Sequence, residues 1–531
     1  MQDGTVPRVQ GFHDLYGDGY HRIQRLVESL TVSFARHGFD QMEVPLVEGL
    51  DLYLRKNGAQ VLSRLYSFVD PNHGEVALRP EFTASVIRAL AAEMENADQP
   101  WRVSYAGPVF RNGSGQEGQS RQFTQAGIEI LGDSSAVADA EVLALACRAA
   151  LDTGLPQVRL VLGHLGPLRT LLTHLNVNGR AEGYLLEHLE HRYRGRTGDE
   201  TVRRRLGLQA RVEEGTVDPE ALPEHLAEAV RGAIPEEARA LVLTMLDQMG
   251  LSLEGTTRTP DEIIDRVLLK ARRHAALHGG TGREDLERAL AFTEQLSTLQ
   301  GDPDDILPRA EALLARYQVP SEALDELRGV LDLLRLYELE GVTIELAPGM
   351  ARGIAYYSGL IFELYAEQEA ARPPGVQICG GGRYDALALA ITGSFNFPAL
   401  GFSFNVEALA GVLPRDEKSM NHRIGLIVLD AEYRRFAYYL ATTLRGGGYT
   451  VTTHEMRTVS HLDVRRLIDH GLAAVILVPS PEPDTFPVVE VLVYENRTET
   501  SDLEETLAEI AANCWSDLGS PNILTTGEAR G

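Results

Sequence analysis

At 531 residues the chain is too long for one hydrophobic core, and about two to four domains are expected. Its composition, 44% hydrophobic with 25 prolines, excludes a disordered, collagen-like or disulfide-built protein. The 50 Lys and Arg against 76 Asp and Glu leave a net charge of −26. Such a surface argues against a protein that lives by non-specific binding to phosphate backbones, although an acidic enzyme can still keep a local basic path to RNA.

The N-terminus, MQDGTVPRVQGFHDL, has no basic start followed by an apolar run, and no apolar stretch approaches the ~18 residues of a membrane span. A cytoplasmic location is expected. Residues 20–38 place Ile23, Leu26, Val27, Leu30 and Phe34 at helical spacing, with Gly38 as a left-handed cap. An extended segment around Pro45 follows, where a proline suits a strand edge or end. Residues 76–92 read as a turn, LRPEFT, running into a helix. Residues 101–132 alternate like a long hairpin with a Gly-rich tip, and a helix (138–150) and a buried strand (158–163) complete a first α/β block. From about residue 168 to 337 strand-like runs give way to charged helical segments. One of these begins with Thr259 as N-cap, Pro260 in the first turn and Glu262 placed for a capping box. Strands resume at 342–349, 354–366, 376–385 and 398–406, separated by turns and read as antiparallel. After a polar linker (413–422), residues 423–512 alternate strand and helix as a small α/β domain with βαβ crossovers, before a polar tail at 513–531. The three cysteines, Cys147, Cys379 and Cys514, lie far apart in no C-x-x-C spacing, which fits a reducing compartment and not a structural zinc.

Three segments put polar residues where a plain core needs none. In Arg79-Pro80-Glu81-Phe82-Thr83, a Glu and a Thr two apart on an extended turn offer a carboxylate and a hydroxyl to an ammonium group. Arg121, Gln125 and Glu129 share one face of a strand, with Gly127 between the last two and Arg111 across the hairpin. Arg352, Tyr356 and Tyr357 belong with the run Gly380-Gly381-Gly382-Arg383-Tyr384. Each has a purely structural counterpart: Glu81 as a helix cap, Gln125 and Glu129 as a solvated sheet face, the tyrosines as core. Together they point to one concave sheet face lined with hydrogen-bonding groups.

The order of GFHDLYG, LRPEFT, FRNGSGQEGQSRQFTQAGIEILG, ARGIAYYSG, CGGGRYDAL and PALGFSFNVEAL resembles that of the histidyl-tRNA synthetases. The resemblance implies an α/β (α+β) chain. Its class II aminoacyl-tRNA synthetase-like core would span residues 1–170 and 331–412, a six- or seven-stranded antiparallel sheet with flanking helices that dimerises. It further implies a helical insertion at 171–330 and an anticodon-binding-like α/β domain at 423–512. By the same resemblance Glu81, Thr83 and Gln125 hold the α-amino end of histidine, and Glu129 and Tyr357 read the two imidazole nitrogens. Arg352 lies near the substrate carboxylate, with Arg111 and Tyr356 in the same pocket. A buried polar pair of this kind discriminates strongly, because a ligand lacking the nitrogens leaves both groups unpaired.

On the ATP side the chain departs from the family. Ala408 stands where the resemblance places the arginine that clamps the γ-phosphate, Gly113 where it places a glutamate near adenine, Gln119 where it places a loop arginine, and Thr124 where it places a histidine. Losing one preorganised cation opposite a phosphate costs ~3 kcal/mol, or ~100-fold in rate. An intact amino-acid site beside an altered nucleotide site resembles a synthetase paralogue, the regulatory subunit of ATP phosphoribosyltransferase, and that is the leading expectation. It implies histidine as ligand, the short catalytic subunit as partner, a homodimer within a hetero-oligomer, no cofactor and no tRNA. A histidine–tRNA ligase with a divergent ATP site, and a histidine sensor with another partner, are the alternatives. His188, His191, His274 and His278 lack a third ligand, so no metal site is expected. GGGRYD is no phosphate loop, and the basic run at 191–196 reads as a solvated helix end.

Overall fold

The long hairpin foreseen at 101–132 supplies the second and third strands of a large sheet in the computed structural model. The structure describes residues 6–57, 64–94, 100–112, 120–195, 199–206, 208, 282–351, 357–367, 375–394, 396–414, 423–469, 472–478, 490–493 and 500–517. The strands in chain order are β1 (Asp40–Gln41), β2 (Val47–Gly49), β3 (Ser67–Asp70), β4 (Gly74–Leu78), β5 (Trp101–Phe110), β6 (Gln122–Leu131), β7 (Val158–His164), β8 (Val342–Leu346), β9 (Leu360–Ala366), β10 (Val376–Arg383) and β11 (Ala399–Asn405). Eight of them make one sheet in the order β1-β5-β6-β11-β10-β9-β7-β8, while β2, β4 and β3 form a small sheet of their own.

The sheet corrects two expectations. It has eight strands, more than the six or seven implied, and it is antiparallel only in its interior. At the edges β1 pairs parallel with β5, and β8 pairs parallel with β7. A parallel partner needs a long crossover instead of a turn; the helical stretch between β7 and β8 supplies one. The strand expected from residue 354 starts only at Leu360.

Alternation along β6 divides the sheet into a helix-covered face and a polar one. Ala126, Ile128 and Ile130 are fully buried. Ile128 pairs with Phe402 of β11, and Phe402 takes the edge of Phe34 from the helix Gly17–Arg36 at 5.7 Å. That helix ends as foreseen, with Gly38 at φ +77°. The alanine-rich helix Ala136–Leu151 is started by Ser135, whose hydroxyl accepts from the Ala138 amide; it meets β7, β9 and β11. Gln125, Gly127 and Glu129 occupy the opposite face. Between residues 166 and 335 the described chain is helical: Gly166–His174, Gly179–Tyr193, Asp199–Arg205, Arg283–Leu296, Pro303–Tyr317 and Glu322–Arg335. The capping box foreseen at 259–262 lies outside the described residues.

Contacts divide the chain into two compact units, Met1–Leu413 and Pro414–Gly531. In the second, β12 (Arg423–Val428), β13 (Thr450–Glu455), β14 (Ala474–Val478) and β15 (Glu490–Val493) form a sheet in the order β13-β12-β14-β15. β12 pairs parallel with both neighbours, and β15 antiparallel with β14. Ile424, Leu426 and Val428 pack in one core with the helices Arg434–Gly446 and Thr500–Asp517. Ile427, Val475 and Leu477 pack in another with Val464 of the helix His461–Asp469. Helices on both faces explain why β12 and β14 read as continuous apolar runs.

Candidate functional site

Glu129 is the centre of the polar face. It is 1% exposed, and its carboxyl group accepts from three hydroxyls: Thr83 Oγ1 at 2.7 Å and Tyr105 at 3.0 Å, both to Oε1, and Tyr384 to Oε2. Burial pushes its pKa up to about 8 against the opposing pull of those hydroxyls, and the neighbouring Glu81 carboxylate adds to the rise. Burial likewise drives Tyr105 well above the usual phenol range. Room for the carboxyl comes from across the sheet: Gly401 of β11 faces Glu129, and a Cβ there would overlap Glu129 Oε2.

The segment after β4 supplies the next layer. Arg79, 3% exposed, donates to the carbonyls of Val44 (2.6 Å) and Pro108 (2.9 Å) and lies over the Phe82 ring at 3.9 Å. Phe82 stacks on Tyr105 at 4.3 Å and 7°. Gly107, two residues on from Tyr105, leaves space for the guanidinium; a Cβ would lie 2.8 Å from Arg79 Nη2. Cation, ring, ring and carboxyl are thus continuous from Arg79 to Glu129. Thr83 is the first residue of the helix Thr83–Met94, not part of an extended turn as expected. Its hydroxyl proton goes to Glu129, so toward a ligand the oxygen can only accept. Glu81 Oε1 accepts from the Ala84 amide at 3.2 Å, so its capping role is real and coexists with its place in the site.

Gln125 is 5% exposed; its Nε2 donates to Ser403 Oγ at 3.1 Å, and its Oε1 has no hydrogen-bond partner among the described residues. A buried amide oxygen without a donor costs about 1–3 kcal/mol, and a ligand ammonium would satisfy it. Arg111 donates from Nε to the Pro80 carbonyl at 3.0 Å and lies 5.0 Å over Phe123, beside the Glu81 segment. Tyr357 is 5% exposed, with its ring edge-on to Tyr384 at 6.4 Å. The structure therefore brings together Glu81, Thr83, Arg111, Gln125, Glu129 and Tyr357. Arg352 and Tyr356 lie outside the described residues. Tyr105 is a site residue that the sequence reading misses. Its signal was its place on the strand facing Gly127, the glycine two before Glu129.

On the nucleotide side, Gly113 and Gln119 lie outside the described residues. Thr124 donates through its amide (2.7 Å) and hydroxyl (3.0 Å) to Glu407, whose pKa burial raises. Asn405 caps the helix Val406–Val412 by accepting from the Ala408 amide at 3.0 Å, so Ala408 sits in the first turn of a helix that starts one strand away from Gln125. Among the described residues no cluster of three His, Cys, Asp or Glu side chains could hold a metal, and no helix is long and apolar enough to cross a membrane. His188 is buried inside Gly179–Tyr193, while His274 and His278 lie outside the described residues. All three cysteines are free and buried, and burial pushes the Cys147 thiol up to about 12.

Comparison with known proteins bears on the same segments. The model of the family described as histidyl-tRNA synthetase matches residues 11–248 and 262–409. A histidine–tRNA ligase of Sulfurisphaera tokodaii is 27% identical over 456 residues, 85% of this chain and 86% of that protein. The histidine–tRNA ligase of Pyrococcus furiosus is 26% identical over 83% of this chain and 84% of its own. Among solved structures, the histidyl-tRNA synthetase of Nostoc sp. PCC 7120 superposes with a TM-score of 0.60 at 17% identity, covering 96% of this chain and 100% of that one. An ATP phosphoribosyltransferase regulatory subunit/histidyl-tRNA synthetase from Bacillus halodurans C gives 0.59 at 20% identity, covering 91% and 100%. The two structural likenesses establish the class II synthetase-like fold. They do not carry the regulatory-subunit expectation, and the ligase names of the sequence relatives overturn it. The departures at the ATP site are a few single side chains, whereas the likeness to the ligases runs through most of the chain.

Proposed function

The chain belongs to the histidyl-tRNA synthetase family, and from that premise we propose that it is a histidine–tRNA ligase with an altered ATP site. The observation that carries the reading is the likeness to histidine–tRNA ligases over 85% of this chain and 86% of the relative, together with a pocket that closes around Glu129. In such an enzyme the histidine carboxylate attacks the α-phosphate of ATP. The bond to pyrophosphate breaks, and histidyl-adenylate remains. A hydroxyl at the 3′ end of tRNA then takes the histidyl group and AMP leaves.

This chain's residues supply binding and orientation. Glu81, the Thr83 oxygen and Gln125 Oε1 form an acceptor set for the α-ammonium. Glu129 and Tyr357 face the imidazole, an acceptor beside a hydroxyl that both donates and accepts. Arg111 and Arg352 are the cations for the carboxylate and phosphates. Histidine-dependent exchange of pyrophosphate into ATP tests the reading, followed by charging of tRNA. Exchange that requires histidine, and that histidinol and alanine do not elicit, supports it. Absence of exchange at saturating ATP and histidine overturns it.

A further inference from the structure

Behind Tyr357, on the helix-covered side of the sheet, lies a second polar cluster that none of the binding roles uses. Arg383, at the end of β10, donates through Nε (3.1 Å) and Nη2 (2.7 Å) to Asp139 Oδ1 and through Nη1 (2.9 Å) to the Asp133 carbonyl. Asp385 Oδ1 accepts from the Ala399 amide at the start of β11 at 2.9 Å. His164, 5% exposed at the end of β7, accepts at Nδ1 from the Gly166 amide (3.0 Å) and faces Glu326 of Glu322–Arg335 through Nε2 (3.0 Å). An accepting Nδ1 places the ring proton on Nε2, where Glu326 receives it.

These groups converge on the two residues after Tyr357. The Ser358 amide donates to the Arg383 carbonyl at 2.8 Å. The Ser358 hydroxyl lies 3.2 Å from Asp385 Oδ2 and accepts from the Asp385 amide at 3.0 Å. The Gly359 carbonyl accepts from the Leu165 amide at 3.1 Å. Gly359 also passes between two side chains: a Cβ there would stand 3.4 Å from His164 Nε2 and 3.9 Å from Arg383 Cδ.

We propose that Ser358 is a positioning residue for histidine recognition: through Asp385 and Arg383 it fixes the backbone that sets the Tyr357 ring against Tyr384, whose hydroxyl donates to Glu129. A displacement of about 1 Å in such a contact costs up to ~100-fold in a positioned reaction. The hydroxyl, which meets the Asp385 carboxylate and amide and the Arg383 carbonyl, accounts for only part of the anchoring here, so the effect of its loss is smaller. The inference rests on the histidine pocket proposed above.

Its test is a double-mutant cycle on the full-length protein, with L-histidine titrated by calorimetry into wild type, Ser358→Ala, Tyr357→Phe and the double variant. Ser358→Ala removes only the hydroxyl and keeps the backbone bond to Arg383. It is expected to weaken histidine binding about five- to tenfold, with the melting temperature lowered only by the few degrees that a lost hydrogen bond costs, and to add less than about twofold in the Tyr357→Phe background. A general structural defect would instead weaken binding in both backgrounds alike. Unchanged affinity in Ser358→Ala, or full additivity with Tyr357→Phe, overturns the positioning role alone. Wild-type protein that fails to bind histidine overturns the pocket reading and this inference with it.

Discussion

A carboxyl that is 1% exposed and ringed by three hydroxyls has a consequence measurable without any ligand. The Glu129 pKa is raised from its ordinary 4.5 to about 8, so between those values the unfolded chain has released a proton that the folded one keeps. Folding stability therefore falls as pH rises from 4.5 to about 8, and below that window the group contributes no slope. Urea unfolding across the window should show this slope in wild type and lose it in Glu129→Gln, which cannot ionise. Equal slopes in the two proteins would remove Glu129 as the source. Ala408 is the second residue with a clear expectation. It stands in the first turn of its helix, where the family resemblance places a cation for the γ-phosphate. Ala408→Arg should raise kcat/KM for ATP in pyrophosphate exchange by about tenfold or more, up to the ~100-fold that one preorganised cation supplies. An unchanged value would show that this position does not reach the phosphates.

Strand pairing is what turns these residues into a site. Glu129 and Gly401 are partners across β6 and β11 although 272 positions separate them in the sequence (401 − 129). Gly401→Ala would set a methyl against the Glu129 carboxyl and the Ile128 carbonyl. The variant should lose histidine binding by calorimetry and melt well below wild type, because overpacking of a closed layer costs about 1–3 kcal/mol. Binding at wild-type affinity would mean that the carboxyl does not lie flat on β11. The elements themselves were legible to different degrees. The helix ending at Gly38, the 101–132 hairpin and the βαβ run after 423 follow from periodicity and caps. The parallel pairings of β1 and β8 do not, because pairing direction depends on where a crossover returns and not on the strand's own residues.

Each of the two units has a core of its own, one spread through Met1–Leu413 and the others within Pro414–Gly531. All the described site residues belong to the first. A chain ending at Leu413 should accordingly fold and bind histidine within about twofold of the full-length affinity, since a unit with its own core folds by itself. Loss of binding in a folded truncated chain would show that the second unit completes the pocket. The net charge of −26 belongs to this scale as well. It bears on the sum over the whole surface and says nothing of a local path for RNA.

The order of the motifs by itself determined the family, the class of fold and the residues worth watching, Glu81, Thr83, Gln125, Glu129 and Tyr357 among them, because side-chain chemistry and alternation are local properties. Only the tertiary structure decided that Thr83, Tyr105 and Tyr384 share one carboxyl, that Gly401 makes room for it, and that Ser358 is held from behind by Asp385 and Arg383. Those contacts join residues far apart in the chain. Which donor meets which acceptor is settled by sheet register and crossover path, quantities that no single segment carries.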